Sequence, residues 1–369
     1  MIADFLQQFT DTFFGFNVFR YITVRAALAA ITSLLLSLLI GPKIIRLLHK
    51  NQIGEEIRHD GPESHLSKSG TPTMGGLILL GSILISILMW ARLNNFYIKI
   101  IFISTIWMGL VGFIDDYLKV VKKMKRGLVG RYKFAGQILL GLFIGSLIYF
   151  NPEMVAKGLN NNTSIPFFKN LEIQFGILYI PIVILVITGT SNAVNLTDGL
   201  DGLATGLIAI AMLAFAGMSY VTGNVNFSDY LNIVYLPGSG ELTVYCLAIV
   251  GAAMGFLWFN THPAEVFMGD TGALALGSTL GTAAILLKKE ILLVLIGGVF
   301  VMETLSVIIQ TTYFKYTKKK TGAGKRIFKM APLHHHFELK GWHESKVVVR
   351  LWIIGILMAL LSLTTFKVR

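Results

Sequence analysis

Ten stretches of this 369-residue chain approach the length and apolarity a helix needs to cross a bilayer. About 20 residues suffice at about 1.5 Å per residue. Such runs fall roughly at 23–47, 73–91, 97–114, 134–150, 175–193, 203–221, 242–259, 272–287, 291–313 and 347–365. Lipid offers no water to satisfy backbone polar groups, so runs of this kind have to be helical. Composition agrees: 14% of residues are charged, where soluble domains carry about 25%, and the mean hydropathy is +0.67. The expected fold is an all-α polytopic membrane protein of ten transmembrane helices, one domain over residues 1–369. The eighth run is short; the ninth is long and carries Glu303 and Gln310. No Lys or Arg precedes Arg20, and no small-residue cleavage site follows a short apolar core. The first helix is therefore expected to be retained rather than removed as a signal. Cys246 is the one cysteine and lies in the seventh run, which excludes an intrachain disulfide or a cysteine-based metal site.

The net charge of +12 would suggest nucleic acid in a soluble protein, but its distribution assigns it to topology. Segments 43–72, 117–133 and 315–346 hold 5, 7 and 9 Lys/Arg, together 21 of the 32. The positive-inside rule places those loops in the cytoplasm and both termini outside. No nucleic acid is expected as a partner. On the outer face, connection 151–174 is the sizeable one. Its IPFF, Lys169-Asn170 and LEIQF pattern predicts a short periplasmic hairpin. The overlapping NNT and NTS triplets there read as chance matches to glycosylation acceptors.

Polar residues collect on the inner face. All eight histidines fall there under this topology, as do Asp115, Asp116, Asp198, Asp201 and Asp270, five of the nine aspartates. These aspartates lie at the inner ends of four helices. Two carboxylates about 4 Å apart repel by about 4 kcal/mol at an effective dielectric near 20, so a convergent cluster calls for a cation. An all-oxygen donor set suits Mg²⁺ or Mn²⁺.

Each motif carries a chemical reading beside a plain one. In FIDDYLK, adjacent Asp115 and Asp116 cannot share a helix face, so one can act while the other orients or caps. The lysine-rich run after it, and Lys133 in RYKFAGQ, offer charge for a lipid phosphate. In NLTDGLDG, Asn195 and Thr197 supply neutral polar groups, and Asp198 and Asp201 sit three apart on one potential helical face. The helix that follows points its anion-favouring N-terminus at this site. In WFNTHPAEVFMGDTG, Asp270 reads as metal ligand or helix cap, Asn260 as an amide contact, and Phe267 as a stacking face or an interfacial aromatic. In APLHHHFELKGWHES, His334, His335 and His336 do not share a helix face, which disfavours a triple-histidine metal site. At the mouth of an acidic cavity they suit phosphate or sugar hydroxyls. SKSGTPTMGG reads as a flexible polar entry to the second helix, with Lys68 able to meet a phosphate or a base carbonyl. Glu303, mid-span, reads equally as a bundle contact or a groove-lining group.

DDYLK, NLTDGLDGL, FNTHPAEVFMGDTGAL and PLHHHFELKGW, in this order and spacing, resemble the polyprenyl-phosphate sugar-1-phosphate transferases over nearly the whole chain. The last motif resembles the branch whose donor is UDP-MurNAc-pentapeptide; no motif position departs from the pattern, and the WHES that follows is where variation from relatives is expected. The resemblance implies a ten-helix enzyme of the cell inner membrane, with its active site facing the cytoplasm. It would move phospho-MurNAc-pentapeptide onto undecaprenyl phosphate, releasing UMP, as a homodimer. By the same resemblance, Asp270 is the principal Mg²⁺ ligand with Asp198 beside it, and Asp115 and Asp116 form the catalytic pair. Asn195 and Asp198 match the adjacent polar motif, Lys68, Asp201, Asn260 and Phe267 the uridine end, and His334, His335 and His336 the histidine motif.

The chemistry implied is phosphoryl transfer between two anions, for which charge neutralisation dominates. Direct attack by the lipid phosphate, with Asp115 or Asp116 orienting or deprotonating it, is favoured over a phospho-enzyme. Two rivals stand beside this reading: a sister enzyme using UDP-GlcNAc, and an ion-coupled transporter. A transporter would place its carboxylates near the midplane and show internal repeats; here they gather on one face, without a detectable repeat.

Overall fold

A computed structural model describes residues 5, 9, 14–50, 68, 70–124, 127–168 and 171–366. The long helices are α1 (Ile22–Lys50), α2 (Gly76–Trp90), α3 (Phe96–Val120) and α4 (Gly130–Tyr149). After a short α5 (Pro152–Ala156) come β1 (Asn162–Ser164) and β2 (Glu172–Gln174), then α6 (Tyr179–Thr197) and α7 (Leu203–Thr222). A short α8 (Val225–Leu231) leads to α9 (Glu241–Asn260), α10 (Gly269–Leu286), α11 (Glu290–Ile296) and α12 (Gly298–Thr321). The chain closes with α13 (Leu333–Glu338) and α14 (Glu344–Thr364). Each apolar run of the sequence except the ninth coincides with one of these helices; the ninth falls on α11 and α12. Seven helices are long and apolar enough to cross a membrane, or eight if the bent α11–α12 pair is one span. The protein is thus an all-α polytopic membrane protein. The two strands pair antiparallel, Asn162 with Gln174 and Ser164 with Glu172. They form a hairpin in the expected connection, but its first strand is Asn162–Ser164 rather than the IPFF run, which follows that strand as loop and bends back before β2; Lys169 and Asn170 lie outside the described residues.

The ninth run is not the continuous helix that its length suggests. It breaks at Gly297, and α11 and α12 meet at 86°. The Gly297-Gly298 pair is the cause legible in the sequence, since sharp bends favour glycine pairs. Met358 of α14 packs against Gly298, where a side chain would meet its thioether and force that methionine to move.

Burial separates the core of the bundle from its rim. In α9, 78% of the apolar window is buried, against 28% in α1 and 33% in α14, whose outer sides are left for lipid. α9 packs on α1, α2 and α7, and α10 packs on α3 and α6. Between apolar helices in lipid, close packing and interhelical hydroxyl bonds supply the specificity. Thr105 of α3 joins Tyr245 of α9 at 2.7 Å and Thr279 of α10 at 2.8 Å. Ser104 meets Thr282 at 2.8 Å. Arg25 of α1, fully buried, forks onto Glu241 of α9 through bonds of 2.7 and 2.5 Å. At the same end of α10 as the hairpin, Ser164 Oγ donates to the Lys288 carbonyl at 2.9 Å, and Tyr179 donates to Glu290 at 2.8 Å.

Because successive long helices alternate in direction, the C-terminal ends of α3, α6, α9 and α12 share one face with the N-terminal ends of α4, α7, α10 and α14. The DDYLK, NLTDGLDGL, FNTHPAEVFMGDTGAL and PLHHHFELKGW motifs lie on that face or just beneath it, and the hairpin lies at the other.

Candidate active site

The last turns of α3 and the first turn of α10 bring Asp115, Asp116 and Asp270 together, with one oxygen from each lying within 4.8 Å of the others. Two glycines permit the approach. A side chain at Gly112 would collide with the Asp270 carbonyl. Gly269, at φ +73°, takes a conformation L-residues rarely adopt, and a Cβ there would lie 2.8 Å from Asp116 Oδ2.

The paired aspartates divide the work. Asp116 accepts from the backbone N–H of Asp270 at 3.2 Å and of Thr271 at 2.8 Å, and from the Thr271 hydroxyl at 2.6 Å. It caps α10 from a neighbouring helix, so its oxygens are committed to holding Asp270 in place. Asp115 accepts the Leu128 N–H on Oδ1 at 2.7 Å. Its Oδ2 faces Lys119 at 2.5 Å and Lys133 at 2.8 Å. The same two ammonium groups reach Asp270 Oδ2 at 2.8 and 2.6 Å. Three carboxylates against two lysines leave one negative charge, at a helix N-terminus that itself favours anions. These oxygens, with no sulfur or imidazole among them, fit a hard divalent cation.

A second constellation lies beside the first. Lys68 Nζ donates to Asp201 Oδ1 at 2.7 Å and to Glu344 Oε1 at 2.6 Å. His262 Nδ1 stands 3.0 Å from Asp201 Oδ2 and 3.3 Å from Glu344 Oε2. Asn260 is buried, bonded to Thr205 Oγ1 at 3.1 Å and to the Val266 carbonyl at 2.9 Å. Phe267 is partly exposed. Its backbone pairs with Pro72 O and Gly75 N, both at 2.8 Å, and Gly76 N bonds Met268 O at 2.7 Å. Residues 72–76 are buried and paired with the segment that leads into Asp270, rather than forming a flexible polar entry. The sequence pattern missed this because the pairing partner is almost 200 residues away.

The histidines separate. α13 is a single short helix that takes His334 inward and leaves His335 and His336 partly exposed. His334 is fully buried against Gly199 of NLTDGLDG, and its Nδ1 lies 3.2 Å from Glu303, itself 1% exposed. Glu303 also accepts the His334 N–H at 3.3 Å, so it is a bundle contact. His334 is therefore not at a cavity mouth. His335 pairs with Glu338 at 2.8 Å, and His336 accepts the Lys329 N–H at 3.1 Å. Partial burial, then Lys340 and Lys329, hold His336 below the usual imidazole range. Asp198 closes α6, with Asn195 one turn earlier. Both are partly exposed, and Asp198 lies outside the three-carboxylate group. His59 and His65 lie outside the described residues.

Residues 98–288 match the model of glycosyl transferase family 4, and residues 68–80 match signature 1 of the phospho-N-acetylmuramoyl-pentapeptide transferases. A protein of that name from Chloroherpeton thalassium is 55% identical over 355 residues, 96% of each chain. Those from Chlorobium chlorochromatii and Thermodesulfovibrio yellowstonii are 52% and 53% identical over the full length of both chains. The chain belongs to the phospho-N-acetylmuramoyl-pentapeptide-transferase family. The family signature at 68–80 covers Lys68 and the buried segment that pairs with residues 267–268, so it marks a stretch joining both clusters.

Sequence reading passed over three residues of this family's candidate site: Thr271, His262 and Glu344. Lys119, read in the sequence as one of a lysine-rich run for a lipid phosphate, stands one helical turn beyond Asp115 and meets it. Thr271 follows the aspartate at a helix start. His262 and Glu344 gave no local signal, because their partners come from distant helices.

Proposed function

We propose that the protein transfers phospho-MurNAc-pentapeptide from UDP-MurNAc-pentapeptide to undecaprenyl phosphate, forming lipid I and releasing UMP in peptidoglycan synthesis. Carrying the reading is the meeting of end-to-end relatedness to the named transferases with two polar clusters on one face of the bundle. An oxygen of the lipid phosphate attacks the phosphorus bonded to the sugar. A new P–O–P link forms, the old anhydride P–O bond breaks, and UMP leaves.

Lys119 and Lys133 bind the phosphates and offset their mutual repulsion, the dominant barrier between two anions. Asp115, the less committed of the pair, orients the lipid phosphate and accepts its remaining proton. That monoester is already largely dianionic near neutral pH, with a second pKa of about 6. Asp116 acts through α10, keeping Asp270 in register. Asp270 and Asp198 are assigned to Mg²⁺, which when bound would stabilise charge on the pyrophosphate and the leaving UMP. Lys68, Asp201, Asn260 and Phe267 are assigned to the uridine end, Asn195 to the neighbouring polar surface, and His335 and His336 to the muramoyl-peptide side.

The same reading makes all ten helical runs membrane spans, puts both termini outside, and faces the site to the cytoplasm of the cell inner membrane. Homodimerisation is carried by the resemblance. The test is direct: purified protein given UDP-MurNAc-pentapeptide, Mg²⁺ and undecaprenyl phosphate releases UMP and forms the pyrophosphate-linked lipid. Release that does not need the lipid acceptor would contradict it.

A further inference from the structure

Glu344 opens α14, in the WHES segment that follows the histidine motif, and no catalytic or binding role falls to it from the motifs. Its side chain is 5% exposed. One of its oxygens does two things: Oε1 accepts Lys68 Nζ at 2.6 Å and the backbone N–H of Asp201 at 2.8 Å. Its Oε2 stands 3.3 Å from His262 Nδ1. Asp201 Oδ1 takes the same ammonium group at 2.7 Å, and Asp201 Oδ2 accepts the Ala264 N–H at 3.2 Å. Glu344 is thus where Lys68, the Asp201 turn, the His262 loop and the last helix meet. Further along α14, Trp352 Nε1 donates to the Leu203 carbonyl at 3.3 Å, and its ring fills the space beside Gly206. The helix is keyed to the start of α7, and Glu344 cannot drift without moving that helix.

A lysine has three donors on a flexible four-carbon stem, so on its own it makes a poorly directed contact. Between two fixed carboxylates, two of its donors are spent and the third has a defined direction. The plain alternative is that Glu344 only complements the α14 dipole, as acidic residues in a first turn do. That role would not require the Lys68 or Asp201 contacts, and Asp in place of Glu would fill it.

We propose that Glu344 is a positioning residue of the nucleotide end: it aims Lys68 and fixes the Asp201 turn for the uridine diphosphate part of the donor, without touching the reacting phosphorus. This rests on the assignment of Lys68 and Asp201 to that end of the donor. Glu344→Gln keeps the shape but weakens the charge-assisted bond. It raises the KM for UDP-MurNAc-pentapeptide and the Kd for UMP by about tenfold or more, with kcat and the KM for undecaprenyl phosphate within about twofold. Glu344→Asp, one methylene shorter, restores helix-end charge but not reach, and shows the same rise.

In a Lys68→Ala background, Glu344→Gln adds little, because the group it aims is gone. The measurements are steady-state kinetics and UMP titration calorimetry on the full chain in detergent, with the unfolding temperature of each variant as the check on folding. Glu344→Asp indistinguishable from wild type, additive effects in the double variant, or an equal fall in kcat would each overturn the inference. Wild-type protein that makes the lipid product but binds no UMP would instead overturn the nucleotide-end assignment itself.

Discussion

Asp270 is held by what other residues do to it: Asp116 bonds its N–H, Gly112 admits its carbonyl, and Lys119 and Lys133 meet its carboxylate. Asp270→Asn removes the charge and keeps the shape. It is expected to lower turnover at least 10- to 150-fold, roughly the loss of one charged contact of about 1.5–3 kcal/mol, while the protein still folds. Near-normal turnover at low Mg²⁺ would remove Asp270 from the metal assignment. The histidines should divide in the same way that their burial does. His334→Ala empties a buried site under NLTDGLDG and should lower the unfolding temperature along with activity. His335→Ala and His336→Ala should lower activity with little change in unfolding.

His336 also gives a pH signature. Its folded pKa lies below the ordinary value of about 6.5, so on acidification the unfolded chain takes up the proton first. Its contribution to stability is therefore present above about pH 6.5 and is lost as pH falls through the folded pKa. Melting curves between about pH 5 and pH 7 should flatten in His336→Gln. An unchanged slope would show that the imidazole is not responsible.

At the scale of elements, the apolar runs located every long helix, because length and apolarity are all that lipid demands of a span. What the runs did not show is how helices meet. The ninth run contained its own break signal in Gly297-Gly298, outweighed by continuous apolarity on both sides. α2 has 15 residues, about 22 Å at 1.5 Å each, well short of a bilayer core of about 30 Å. The run at 73–91 looked longer because residues 73–75 are buried without being helical. Convergence of the carboxylates on one face was legible from loop charge and helix direction. The division between Asp115 and Asp116 was not, since it depends on which one meets the α10 N-terminus.

Gly112→Ala should push the start of α10 away and raise the Mg²⁺ concentration needed for half-maximal activity; an unchanged Mg²⁺ requirement would mean that α10 can shift at no cost to the site. Glu241→Gln leaves the buried Arg25 without its charged partner and should cost about 3–5 kcal/mol of stability, read as a lowered unfolding temperature. An unchanged unfolding temperature would deny the α1–α9 pair that role.

For the whole molecule, the distribution of positive charge predicts which face is cytoplasmic, and every site assignment depends on that orientation. Cys246 is buried, so it should not compete with introduced cysteines for an impermeant label. Lys123→Cys and Lys325→Cys should react only when the inner face is accessible, and reaction in intact cells from outside would invert the whole arrangement.

The central claim, that this face joins a muramoyl-peptide phosphate to a prenyl phosphate, is tested most directly by competition. Purified protein would receive UDP-MurNAc-pentapeptide and UDP-GlcNAc together with undecaprenyl phosphate and Mg²⁺, and the lipid products would be separated by mass. The account predicts the MurNAc-pentapeptide lipid as the dominant product and UMP in matching amount. A dominant GlcNAc-phosphate lipid would contradict it.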